Sequence, residues 1–131
     1  MPEPLFLSVE DVLYIHRREI ERFGGEPILR DRAALEAAVA APRATHAGGY
    51  LLDLFNMAAT YVIAIAVRHP FLDGNKRAAA ASGLAFLYLN GYDITERHDE
   101  EMADVVLGVL DKRVDREQLG RWFHERASER D

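Results

Sequence analysis

Nine consecutive residues, His69 to Arg77, carry the side chains of this 131-residue chain that could perform chemistry together. The segment reads His-Pro-Phe-Leu-Asp-Gly-Asn-Lys-Arg and combines an imidazole, a carboxylate and two cations. An imidazole can accept a proton at neutral pH, and this is what activates a hydroxyl for attack on a phosphate. Packing and turn formation do not explain this choice of residues, so we expect the segment to be the functional site.

The second half of the segment predicts a phosphate site. Gly74, Asn75, Lys76 and Arg77 lie where a helix is expected to begin. The first backbone N–H groups of a helix have no partner within it, and together with the helix dipole they favour an anion. Gly74 permits a close backbone approach, and Lys76 and Arg77 add positive charge at the same point.

Asp73 and His69 each allow two interpretations. A carboxylate beside a phosphate repels it unless a divalent cation lies between them, so Asp73 is a candidate ligand of Mg²⁺. Asp73 could instead only cap the following helix. His69 could be a general base, or a histidine on the surface with no catalytic role. The presence of a base, a metal ligand and a phosphate clamp within nine residues weakens the surface interpretation of His69. For Asp73 taken alone, the helix cap is the more frequent role.

Two apolar stretches must position this segment, because Leu51 to Arg68 leads into it and Ala78 to Leu89 leads out of it. Helical spacing of apolar residues and capping residues predict an all-α fold, a compact bundle of about six helices in a single domain, 1–131. The active-site loop should join the two central helices, and Phe71 should anchor it in the core. The segment from Pro42 to Gly49 should be an exposed, mobile loop. We expect the helices to run from Ser8 to Gly24, from Asp31 to Pro42, from Leu51 to Arg68, from Asn75 to Leu89, from about Asp99, and from about Asp115.

Composition excludes several classes of protein. The net charge of −6 is unlike that of proteins that neutralise nucleic-acid phosphates with a basic face, so we expect no direct nucleic-acid binding. The chain has no cysteine, which excludes disulfides and thiolate metal sites. The most apolar run is too short to cross a membrane and no signal peptide is evident, so the expected location is cytoplasmic. No ligand-like spacing relates the four other histidines, to which we assign no site: His16, His46, His98 and His124.

The segment resembles the signature of the Fic/Doc family. That signature begins with His, has Phe two positions later, and continues with an acidic residue, Gly or Ala, Asn, Gly or Lys, and Arg. Residues 69–77 match this pattern. Phe23-Gly24-Gly25, Asp53-Leu54-Phe55 and Leu89-Asn90-Gly91 are also similar to the death-on-curing (Doc) toxins of that family, so the resemblance covers essentially the whole chain.

Two positions differ from the AMP-transferring branch of the family. Those proteins have Gly where this chain has Lys76, and a second Arg where it has Ala80. Doc toxins share the Lys and transfer the γ-phosphate of ATP to a threonine of elongation factor Tu, which stops translation. The resemblance therefore implies a Doc-type protein kinase, the toxin of a toxin–antitoxin system. The alternatives are AMP transfer to a protein hydroxyl, and a catalytically weak partner that tunes an antitoxin repressor.

The resemblance also implies a role for each residue. His69 would deprotonate the target hydroxyl, and Asp73 would bind Mg²⁺. Gly74, Asn75, Lys76 and Arg77 would hold the phosphates of ATP, and Lys76 and Arg77 would act in catalysis. The loop from Pro42 to Gly49 would be the flap that aligns the target. No self-inhibiting helix is evident, so a cognate antitoxin should insert a flexible segment into a groove of the domain.

Overall fold

The computed structural model describes residues 3–94 and 99–130, and their architecture is mostly helical. Six helices and two small antiparallel strand pairs make up the regular structure of these residues, so the prediction of an all-α bundle of about six helices is confirmed. The helices are α1 (Val9–Phe23), α2 (Arg32–Ala40), α3 (Leu54–Arg68), α4 (Asn75–Leu89), α5 (Asp99–Leu110) and α6 (Arg116–Arg126). A 3₁₀ turn (Ala41–Arg43) follows α2, β1 (Thr45–His46) pairs with β2 (Gly49–Tyr50), and β3 (Tyr92–Asp93) pairs with β4 (Ser128–Glu129).

Side-chain caps set the starts of four helices. Ser8 and Asp115 form reciprocal capping boxes at α1 and α6, and Asp31 accepts the N–H of Ala34 at the start of α2. At α3, the Asp53 side chain accepts the N–H of Asn56 at 2.8 Å. This cap makes α3 begin at Leu54, three residues later than its apolar pattern suggested.

Helices α3 and α4 form the centre of the bundle, as predicted. Seven of the fifteen residues of α3 are buried, and α4 packs against it through small residues. Gly83 of α4 shows how close the approach is, because a Cβ there would lie 2.6 Å from Cγ2 of Val62. Because this packing fixes both helices, it also fixes the two ends of the loop that joins them. None of the described helices is long and apolar enough to cross a membrane.

The segment from Pro42 to Gly49 is partly regular rather than an irregular loop. Pro42 is buried in the 3₁₀ turn, and the residues after it form the β1–β2 hairpin. Both strands are exposed, as expected. The hairpin turns at Ala47 and Gly48, which have positive φ, and the sequence-based interpretation did not include it.

Candidate functional site

The loop between α3 and α4 begins with an exposed histidine. His69 ends α3 in the left-handed conformation, with φ 55° and ψ 54°, and its N–H donates to the carbonyl of Ile65 at 3.1 Å. Pro70 explains why the helix stops here, since proline disfavours helical dihedrals at the residue before it. The side chain of His69 is exposed and therefore accessible to a substrate.

Phe71 and Asn75 are buried residues that hold the loop in its turn. The Phe71 ring is fully buried, as predicted. The Asn75 amide spans the loop, because its Oδ1 accepts the N–H of Phe71 at 2.9 Å and its Nδ2 donates to the Phe71 carbonyl at 2.8 Å. The side chain of Asn75 is therefore committed to holding the turn. The predicted contact of Asn75 with the phosphates stays a prediction, and its backbone N–H at the start of α4 is available for it.

The N-terminus of α4 is open. Its N-cap is Gly74, which has φ 78°, and no side chain of the described residues caps it, unlike the starts of α1, α2, α3 and α6. Lys76 is exposed in the first turn beside this terminus. Unpartnered N–H groups, the helix dipole and a cationic side chain thus coincide, and an anion is the ligand that this arrangement favours.

Asp73 does not cap α4, so the simpler interpretation of that residue is wrong. Its Oδ2 accepts the backbone N–H of Glu26 at 3.0 Å. Its other oxygen has no hydrogen-bond partner among the described residues, and the side chain is exposed. A carboxylate held by one oxygen and open at the other fits Mg²⁺, which typically takes one or two protein carboxylates and completes its shell with phosphate and water oxygens. No cluster of three metal-ligating side chains occurs in residues 3–94 and 99–130.

Arg77 turns toward the end of α1. Its Nη2 donates to the carbonyl of Gly24 at 3.0 Å, and its guanidinium lies over the ring of Phe23, 5.3 Å from the centroid. The remaining guanidinium N–H groups can still meet a phosphate, because arginine has five donors. Arg77 therefore joins the loop to α1 as well as adding charge.

The segment from Gly24 to Asp31 lies directly against the loop, a feature that sequence reasoning missed. The N–H groups of Arg30 and Asp31 donate to the Pro70 carbonyl at 2.8 and 2.9 Å, and the Leu72 N–H donates to the Ile28 carbonyl at 3.0 Å. The Arg30 guanidinium also donates to the carbonyl of His69. This pairing joins residues about forty positions apart, so no local pattern could indicate it.

The β1–β2 hairpin does not lie beside the loop, which corrects its assignment as the flap. Tyr50 packs edge-on against Phe6 at 5.4 Å, and Phe6 stacks on Phe86 in the last turn of α4. The loop adjoins the first turn of α4, roughly 20 Å away along the helix axis at 1.5 Å per residue. Among the described residues, the position next to the loop belongs to the Gly24–Asp31 segment instead.

His16, to which the sequence analysis assigned no site, contacts the loop from α1. It lies on the buried face of α1 between Val12 and Ile20, and only 2% of it is exposed. Its Nε2 lies 2.7 Å from the Asp73 carbonyl oxygen, and its ring stacks on that of Phe71 with centroids 3.6 Å apart and an interplanar angle of 4°. Since a carbonyl only accepts, Nε2 carries the hydrogen. The signal in the sequence was a polar residue on an otherwise apolar stripe.

The pKa of His16 is lowered, and burial is the main cause. Desolvation disfavours the imidazolium, and the positive charge of Arg77 acts in the same direction. The hydrogen bond to the Asp73 backbone and the Asp73 carboxylate oppose this shift. The shift favours the neutral ring, and the hydrogen bond to the Asp73 carbonyl requires that Nε2 carry the hydrogen. Of the remaining histidines, His46 lies on the distant hairpin, His124 contacts Phe55, and His98 lies outside the described residues.

Comparison with known proteins points to one family. A family model described as Fic/DOC family matches residues 6–87, which include α1 and the complete loop. The protein named "Protein kinase doc" of Escherichia phage P1 is 37% identical over 103 residues, or 79% of this chain and 80% of that protein. "Toxin Doc" of Mycolicibacterium smegmatis is 37% identical over 89 residues, or 67% of this chain and 68% of that protein.

Proposed function

The chain belongs to the Fic/DOC family, and we propose that it is a Doc-type toxin that transfers the γ-phosphate of ATP to a hydroxyl of a translation factor. The observation that carries the proposal is the uncapped N-terminus of α4, with Lys76 exposed beside it and Asp73 presenting one unpartnered oxygen. Phosphoryl transfer depends mainly on positioning and on charge stabilisation, and these groups supply both. By resemblance, the target is a threonine of elongation factor Tu.

Each residue of the loop has a role in this proposal. The N–H groups of residues 75–77 and the side chains of Lys76 and Arg77 hold the phosphates, with Gly74 allowing their close approach. Asp73 holds Mg²⁺, which when bound neutralises charge on the phosphate oxygens. His69, exposed at the entrance of the loop, accepts the proton of the target hydroxyl as the hydroxyl oxygen bonds to the γ-phosphorus. The bond between that phosphorus and the β–γ bridging oxygen breaks at the same time, and ADP leaves.

Lys76 is the residue that favours phosphate over AMP as the transferred group. Its side chain occupies the position that is Gly in the AMP-transferring branch, and the second Arg of that branch is replaced by Ala80. Ala80 offers no cation to a nucleotide bound in the AMP-transferring orientation. The site therefore has one fewer phosphate ligand for AMP transfer and one more for a terminal phosphate.

The proposed partners follow from the same family membership. We propose that the protein acts in the cytoplasm, and that a cognate antitoxin inhibits it by inserting a flexible segment into a groove of the domain. The net charge of −6 argues against direct binding to nucleic acid, so the phosphates of ATP should be held locally at the loop.

Labelled ATP tests the proposed reaction. The protein is incubated with purified elongation factor Tu, Mg²⁺ and ATP labelled at either the α or the γ position. We expect only the γ label to appear on the factor. Transfer of the α label would identify the protein as an AMP transferase instead. Absence of both labels from the factor, under conditions in which expression of the protein arrests growth, would rule out this target.

A further inference from the structure

The loop's orientation depends on one peptide group, which joins Asp73 to Gly74. The carbonyl of Asp73 points inward and accepts a hydrogen bond from Nε2 of His16 at 2.7 Å. In a planar trans peptide the N–H points opposite to the C=O. The N–H of Gly74 therefore points away from α1, toward the side on which the free N–H groups of α4 begin, and it has no acceptor among the described residues.

Unless another contact holds it, this peptide group could rotate. Gly74 has φ 78°, and glycine accepts both signs of φ, so steric hindrance at Gly74 alone does not choose between the two orientations of the peptide. A reversed peptide would direct the Asp73 carbonyl, a negative dipole, to the place where the phosphate belongs. The catalytic arrangement therefore needs a hydrogen-bond donor on the side of the loop that faces α1.

We propose that His16 is a positioning residue that holds the Asp73–Gly74 peptide in the orientation that binds phosphate. The hydrogen bond from Nε2 fixes the carbonyl, and the stack on Phe71 fixes the ring that donates it. His16 also adjoins Gly74 directly, because a Cβ on that glycine would lie 3.5 Å from Nε2. The imidazole is only 2% exposed, so it is placed to act on the loop rather than on the reacting groups. His16 therefore affects transfer only through the loop. This inference rests on the proposed function.

Histidine meets two requirements of this position with a single small ring. The position needs a flat ring, because the two rings lie 3.6 Å apart and nearly parallel. It also needs a hydrogen-bond donor, because a buried carbonyl without a partner is destabilising. Phenylalanine would keep only the ring, and glutamine would keep only the donor. Comparing these two substitutions therefore separates the contribution of the ring stack from that of the hydrogen bond.

The first experiment measures transfer by His16→Phe and His16→Gln. We expect kcat for γ-phosphate transfer to fall roughly 10- to 100-fold in His16→Phe, because a small misplacement of reacting groups costs about that much, while KM for the protein target stays unchanged. His16→Gln should recover a substantial part of the lost kcat. Val12→Ala is the matched control, since Val12 is fully buried one turn earlier on the same face of α1. It should lower the unfolding midpoint without lowering kcat.

The second experiment does not depend on the reaction. The amide resonance and hydrogen exchange of Gly74 are measured in each variant by NMR, with inorganic phosphate added as the probe. We expect His16→Phe to shift the Gly74 resonance and to remove its response to phosphate, and Val12→Ala to leave both unchanged. If the wild type transfers phosphate and His16→Phe matches it in kcat and in the Gly74 resonance, the proposal is wrong. If the wild type transfers nothing but Gly74 changes as expected, only the proposed reaction is wrong.

A purely structural role for His16 predicts a different result. His16→Phe, His16→Gln and Val12→Ala would then lose activity only in proportion to their loss of stability, with no recovery by glutamine. That pattern would overturn the proposal. Should His16→Phe fail to fold, the comparison of His16→Gln with Val12→Ala decides the question in the same way.

Discussion

At the scale of single residues, His69 combines an uncommon backbone conformation with an exposed side chain. Its φ of 55° is in the left-handed region, and the conformation is held by the Arg30 guanidinium, which donates to its carbonyl. Such strain persists only where neighbouring structure enforces it, and it is common at functional sites. The turn at His69 places the imidazole beyond the end of α3 rather than along its side.

Replacing His69 by Ala should abolish activity without unfolding the protein. We expect γ-phosphate transfer to fall at least about 10²-fold, which is the lower range for loss of a general base, and expression of the variant should no longer arrest growth. The stability should change by less than about 0.5 kcal/mol, because the side chain is exposed. His46→Ala is the control, since it removes an exposed imidazole from the distant hairpin. Growth arrest that persists in His69→Ala would eliminate His69 as the base.

The local motif predicts candidate site residues, but it could not indicate the contacts that surround them. The exposure of His69, Asp73 and Lys76 matches the functions that the motif suggested for them. The part that the Asn75 side chain plays in the loop was not predicted, because its hydrogen bonds to Phe71 depend on how the loop closes. His16 was missed because it is 57 residues from Asp73 in sequence, and such a contact exists only once α1 packs against the loop.

At the scale of elements, helix boundaries were the most predictable feature. Ser8, Asp31 and Asp115 cap the helices that they were expected to begin, because capping depends on residues within one turn. The β1–β2 hairpin and the pairing of Gly24–Asp31 with the loop were not predicted. Both depend on backbone hydrogen bonds in segments without a clear periodic pattern. The flap was consequently assigned to the wrong end of α3.

The close contact of α3 and α4 predicts an unusual effect of Gly83→Ala. In most helices this change is stabilising, by about 0.5–1 kcal/mol. Here the new methyl would lie 2.6 Å from Cγ2 of Val62 and 3.3 Å from the carbonyl oxygen of Ala58. Overpacking in a core costs about 1–3 kcal/mol, so we expect a net loss of roughly 1 kcal/mol or more in the free energy of unfolding, measured in urea.

A double-mutant cycle separates this clash from other effects. Val62→Ala removes the methyl groups that the new side chain would meet, so Gly83→Ala should be much less destabilising in that background. A favourable coupling energy between the two substitutions is therefore expected. Wild-type stability in the single variant Gly83→Ala would show that the helices can separate at no cost, which contradicts the packing described here.

At the scale of the whole molecule, the N-terminal segment joins parts of the chain that are far apart in sequence. Leu5 exchanges two hydrogen bonds with the side chain of Asn90 at the end of α4. The N–H of Leu7 donates to the Tyr61 hydroxyl of α3 at 2.9 Å, and Tyr50 of the hairpin donates to Glu3. The segment thereby joins the two central helices and the hairpin at the end of the bundle opposite the active loop. We expect it to stabilise the whole fold without contacting the site.

The phenol of Tyr61 makes the stabilisation by the N-terminal segment sensitive to alkaline pH. Burial raises its pKa above the ordinary value of about 10, although the hydrogen bond from Leu7 opposes the shift. Below about pH 10 the phenol is protonated in both the folded and the unfolded chain, so its stabilisation is complete. As the pH rises further, the unfolded chain loses the proton first, and stability falls until the folded phenol also ionises. Tyr61→Phe should be less stable at pH 8, because the Leu7 N–H loses its acceptor, and its disadvantage should shrink as the pH rises above about 10. Urea unfolding of both proteins across this range measures the difference, with Tyr14→Phe as the control for loss of an exposed phenol. A disadvantage that stays constant over the whole range would mean that the Tyr61 phenol ionises equally in the folded and unfolded chains.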